Sequence, residues 1–153
     1  MLEFWKGAEM ALKDKNMTDV RAVDPALADS IRAELKDDRL DCVRAFVLAD
    51  AKGITPLAVG GAADSLGVHL SHCQLGLFGF PGHAKAWETG GWKEMTMPEG
   101  FKEAVRSSLD PDGSLSCSAA WTLAARFGLV RAQAGFFASR LNVKIKHCQL
   151  GAF

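Results

Sequence analysis

Apolar positions recur three and four residues apart along most of the chain, the spacing that places side chains on one face of a helix. Ala28, Ile31 and Leu35 follow it, as do Phe101, Val105 and Leu109. A second pair of helices is expected to start near Cys42 and Cys117. They bury Ala45, Phe46 and Ala49 in one case, and Ala120, Trp121 and Ala124 in the other. Each stops at a glycine, Gly53 or Gly128, where a left-handed cap costs little. A third helix begins at Pro56, with Thr55 as its N-cap, or at Val130–Arg131, which caps less well, and ends near Leu66 or Leu141. VHLSHC and VKIKHC then alternate with a period of two and read as short strands. That alternation puts His72 on the face of Val68 and Leu70, and His147 on that of Val143 and Ile145.

The two sets of elements are copies of one another. Residues 40–78 and 115–153 align without a gap, with 16 of 39 positions identical. All four cysteines fall in register, Cys42 with Cys117 and Cys73 with Cys148, and both segments carry HCQLG. The match extends upstream with a one-residue shift, PALADSIRAEL against EGFKEAVRSSL. Residues 25–79 and 98–153 are therefore two repeats of one unit. Residues 1–24 form a leader with an amphipathic helix expected over Leu2–Lys13. Residues 80–97 are a connection rich in glycine and aromatics, with a short helix expected near His83–Thr89 and tryptophans that pin it onto a unit.

Three short helices with a glycine-centred turn between the second and third resemble the helix-turn-helix superfamily; no narrower family is identified. The residues are Leu48-Ala49-x-x-x-Gly53-Ile54 followed by Val59, and Leu123-Ala124-x-x-x-Gly128-Leu129 followed by Ala134. The small alanine lets two helices cross closely, the glycine turns the chain, and the apolar pair fills the wedge. The resemblance covers about 40 residues of each repeat. The expected fold is mainly α: two tandem three-helix helix-turn-helix-like units, each ending in a short β-strand. With no room after the last strand for a local hairpin, the strands near 67–72 and 142–147 are expected to pair with each other about a pseudo-twofold axis.

In such proteins the third helix enters the major groove, and Lys and Arg contact phosphates. The resemblance therefore implies DNA binding and transcriptional regulation. The second repeat suits it, with Arg131, Gln133, Ser139 and Arg140 on the third helix and Lys144 and Lys146 on the strand. The first does not: PLAVGGAADSL has no base, and its consecutive small residues suit close approach of another backbone. The bland reading of those cations is a solvated face. Phe136 and Phe137 read as core.

The chain as a whole has 18 basic and 18 acidic residues, which excludes a uniformly basic nucleic-acid binder. The balance is uneven: residues 1–79 hold nine basic and twelve acidic side chains, residues 80–153 nine and six. A non-DNA interaction module, with a protein partner or self-association through the first repeat, is the alternative. A further one is a zinc or iron–sulfur site or redox sensor built from Cys42, His72, Cys73, Cys117, His147 and Cys148. No Cys-x-x-Cys spacing supports it. The competing reading makes Cys42 and Cys117 small buried hydrophobes and leaves the chain without a cofactor. No nucleophile elbow or phosphate-binding loop is present, so no enzyme is expected. No membrane span or secretory signal is expected, which points to the cytoplasm and reduced cysteines.

Overall fold

The computed structural model describes residues 23–82 and 84–153. The expected leader helix over Leu2–Lys13 lies outside them, as does His83. The described chain is mainly α-helical, with four strands of two or three residues. It divides into two compact units. Unit 1 contains the chain up to Ser71 together with Gln149–Phe153; unit 2 contains His72–Cys148.

Unit 1 comprises α1 (Pro25–Ala33), β1 (Arg39–Asp41), α2 (Cys42–Lys52), α3 (Pro56–Ser65) and β2 (His69–Ser71). Asp24 caps α1, its carboxylate accepting from the Leu27 amide at 3.0 Å, and Pro25 occupies the first turn, where its missing N–H is not needed. Gly53 ends α2 at φ 67°, and Thr55 Oγ1 caps α3 by accepting from the Ala58 amide at 3.0 Å, both as the sequence indicates. β1 and β2 pair in parallel, Leu40 opposite Leu70. The α2–α3 pair serves as the crossover that parallel strands require. Ser71 is buried at the end of β2, and its hydroxyl donates to Asp41 Oδ1 at 2.9 Å. The core is made of Ile31, Leu40, Ala45, Ala49, Val59 and Ala63, with Leu150 from the distant segment.

Unit 2 repeats this plan with α4 (Phe101–Ser107), β3 (Leu115–Ser116), α5 (Cys117–Arg126), α6 (Arg131–Arg140) and β4 (Ile145–Lys146). Ser116 caps α5. β3 and β4 are parallel, Leu115 opposite Ile145. The core is heavier. Phe101 packs edge-on against Phe127 and Phe137 at centroid distances of 5.3 and 5.8 Å. Residues 80–97, expected as a connection, belong to this unit. They hold two single-turn 3-10 segments, Ala86–Glu88 and Trp92–Glu94, whose tryptophans both pack on Phe136 at 5.7 Å. Of the short helix the sequence places near His83–Thr89, the described residues form the single turn Ala86–Glu88.

The expected pairing of the two C-terminal strands does not occur. Each strand pairs instead with a short strand that precedes the second helix of its own repeat, 39–41 or 115–116. Segments of two or three residues are too short to register as an alternating pattern, which is why sequence reading missed them.

Candidate functional site

Both strands end at a histidine in the left-handed region, His72 at φ 50° and His147 at φ 58°. Histidine is one of the few residues with a side chain that enter this region with any frequency. The alternation expected through VHLSHC and VKIKHC therefore stops one residue early, and the chain turns there. In the first repeat Cys73 and Phe78 then close a small loop, the Cys73 amide donating to the Phe78 carbonyl at 3.1 Å.

The leucine three residues beyond each histidine explains why HCQLG persists in both repeats. Leu75 and Leu150 are almost wholly buried, 0 % and 3 % exposed. In unit 2 the Leu75 carbonyl lies directly on Gly135 of α6; in unit 1 the Leu150 carbonyl lies on Gly60 of α3. A Cβ at either glycine would fall well inside contact distance of that carbonyl oxygen. Each repeat thus lends its Gln-Leu-Gly segment to the third helix of the other. This exchange is why the compact units are cut at 71/72 and 148/149 and not at the repeat boundaries near residues 79 and 98. The signal that would have found it is the in-register identity of Gly60 and Gly135 inside helices, where glycine costs about 1 kcal/mol relative to alanine.

The seat changes the surroundings of the six residues expected to contact DNA. Ala134 to Ala138 are all buried, more than a full turn of α6. Arg131, Gly135 and Ser139 lie on one stripe, and its middle is covered by the Leu75 backbone. Arg131 is exposed, stacked 3.5 Å from the Trp121 ring centroid and hydrogen-bonded to the Gln74 side-chain oxygen. Gln133 is half-buried; its Oε1 accepts from the Val130 amide at 2.9 Å, completing the helix start that Val130 cannot cap. Arg140 donates to the Met95 carbonyl at 3.1 Å and lies over the Phe136 ring. Ser139 and Lys144 are exposed. Lys146 pairs with Asp112 at 3.2 Å.

Asp112 also accepts from the Ser114 hydroxyl at 2.6 Å and amide at 3.0 Å. These two bonds, and then Lys146, hold its carboxyl well below the usual range. A depressed carboxylate contributes stability that is present above its ordinary value, near 3.8, and lost as pH falls through the lowered one. Asp112→Asn is therefore expected to be slightly less stable than the parent at neutral pH. Its thermal midpoint should fall less between about pH 4 and about pH 2. Parallel melting curves for parent and variant across that range would refute this.

Cys42, Cys73 and Cys117 are buried and Cys148 is half-buried. His72 packs edge-on against Phe80 at 5.4 Å, while His147 is exposed. Cys42 lies in unit 1 and the other members of the set lie in unit 2. Among the described residues no three His, Cys, Asp or Glu side chains gather where they could hold a metal ion. No described helix is long and apolar enough to cross a membrane.

On α2, Val43 and Val47 stand one turn apart and are 51 % and 53 % exposed. The second repeat carries Ser118 and Thr122 at these positions, and the Thr122 hydroxyl donates to the Ser118 carbonyl. No protein-family model matches the chain, and no curated protein or solved structure matches it.

Proposed function

We propose that the chain is a protein-interaction module of two tandem helix-turn-helix-like units, self-associating through α2, and that it does not read DNA bases. The observation carrying this reading is the enclosed middle turn of α6. The major groove is about 12 Å wide and admits one bare helix about 10–12 Å across. A helix sheathed by the Leu75 segment and by Trp87 and Trp92 is too wide to enter it.

Self-association is supported by the apolar stripe that only the first repeat keeps. Arg44 and Asp50 flank Val47 by three residues on either side, and all three are exposed. An antiparallel α2 from a second copy, crossing at Val47, sets each Arg44 against the other's Asp50 and covers Val43. The test converts this face to that of its twin, Val43→Ser with Val47→Thr, side chains the same scaffold already carries. Sedimentation equilibrium should show a concentration-dependent dimer weakened at least about tenfold by the double substitution, the effect of losing about 1.4 kcal/mol. A parent that is monomeric at all concentrations would contradict the proposal.

A second reading keeps DNA as partner through phosphates alone. Its support is the run from Gly113 to Phe153, which holds Arg126, Arg131, Arg140, Lys144 and Lys146 and no acidic residue among them. Arg131, Arg140 and Lys146 already hydrogen-bond within the protein, and Arg126 lies over the Phe127 ring. Binding of this kind would be sequence-independent, with log K falling by about 0.9 per phosphate for each unit of log salt. Fluorescence anisotropy against several unrelated duplexes separates the readings. Sequence-selective binding lost in Arg131→Ala would reinstate base reading by α6. The zinc or iron–sulfur alternative has only its residue types in support.

A further inference from the structure

We infer that the seat on α3 is a receptor for residues 149–153 of a second copy of this chain, so that two copies can join by exchanging these segments. The inference goes beyond pairing through α2 and rests on different residues. The seat is defined by what occupies it: the Leu150 carbonyl pressed onto Gly60, the Leu150 side chain 3 % exposed, and Gly151 close enough to Leu57 that a Cβ there would lie 2.9 Å from Leu57 Cδ1. These contacts recognise a backbone without side-chain bulk at one position and a leucine at the neighbouring one. The incoming segment, Gln-Leu-Gly-Ala-Phe, carries no ionisable side chain that would have to be desolvated on entering the seat.

The chain already performs the exchange between its own two repeats. Gly135 receives Leu75 from the first, and Gly60 receives Leu150 from the second. The covalent link makes the exchange intramolecular; nothing in the geometry of the seat distinguishes the segment's origin. Exchange of an identical element between protomers is a low-cost route to a closed dimer. The donor segment leaves its strand through the left-handed His147, a single residue at which its direction is set. The competitor is the chain's own segment, at an effective concentration of about millimolar for a short tether. Exchange between copies therefore becomes appreciable as the protein approaches that concentration, or whenever the resident segment is lifted.

The test uses the full chain with Leu150→Asp, which keeps its own segment out of the seat, and a fluorescein-labelled synthetic peptide of residues 146–153. Anisotropy should show saturable binding at least about tenfold tighter than to the parent, whose seat is filled. Adding Gly60→Ala should weaken it at least about tenfold. No saturable binding, or binding indifferent to Gly60→Ala, overturns the inference. Should Leu150→Asp fail to fold, Val43→Ser/Val47→Thr decides. Isotopically light and heavy copies are mixed near millimolar concentration, diluted, and read by native mass spectrometry. Mixed dimers should form in Val43→Ser/Val47→Thr, where pairing through α2 is weakened, and in that variant with Gly61→Ala, and be lost when Gly60→Ala is added to it. Dimers absent from Val43→Ser/Val47→Thr, or kept there after Gly60→Ala is added, overturn it.

Discussion

Gly60→Ala is expected to destabilise unit 1 by about 0.5–2 kcal/mol, whereas Gly61→Ala, one residue along the same helix, is expected to stabilise it by up to about 1 kcal/mol. Helix propensity favours alanine by about 1 kcal/mol at both positions. At Gly61 nothing lies within 4 Å of an added Cβ, so the propensity gain stands alone. At Gly60 the new methyl occupies the place of the Leu150 carbonyl and the segment must lift. Exposing a buried leucine costs about 1.5–3 kcal/mol, which outweighs the gain. Urea denaturation gives the sign of each change. Hydrogen exchange at Leu150 and Gly151 should accelerate in the first variant only. Two stabilised variants would mean that Leu150 does not sit on Gly60. Gly135→Ala is expected to cost more than Gly60→Ala, because the Leu75 segment is tethered at both ends and completes the larger core.

Phe101→Ala should be the most damaging of the substitutions considered, at about 3–5 kcal/mol. Phe101 is fully buried, joins α4 to the rest of unit 2, and holds the rings of Phe127 and Phe137 in place. The core it belongs to holds many small side chains, Ala104, Ala120 and Ala124 among them, and they cannot extend to fill the space vacated. Domains are stable by about 5–15 kcal/mol, so this one change removes a large share. The matching test in unit 1 is Ile31→Val, expected to cost about 0.5–1.5 kcal/mol. A loss below about 1 kcal/mol for Phe101→Ala would show that α4 packs elsewhere.

Much of the local structure was legible in the sequence, since it depends on neighbouring residues. Thr55 with Pro56, Gly53 and Gly128 marked helix ends, and the periodicity of Phe101 and Val105 marked a buried face. The duplication located the equivalent elements. The exchange of Gln-Leu-Gly segments was hidden because it depends on a contact between residues 90 apart for Leu150 and Gly60, and 60 apart for Leu75 and Gly135. The repeated glycine was its only local trace. The same limit applied to the basic residues. Their charge was visible, but the partners of Arg131, Arg140 and Lys146 lie 57, 45 and 34 residues away, at Gln74, Met95 and Asp112. A helix with basic ends and a buried middle looks like a recognition helix in sequence; its enclosure by Leu75 and two tryptophans is a tertiary fact.

The exchange is what closes α6 and builds the seat on α3, so it is the claim to test first. Nuclear Overhauser contacts between the α protons of the two glycines and the two leucines decide it. The exchanged arrangement predicts cross-peaks pairing Gly135 with Leu75 and Gly60 with Leu150. Cross-peaks pairing Gly60 with Leu75 and Gly135 with Leu150 would place each segment on its own repeat and contradict it.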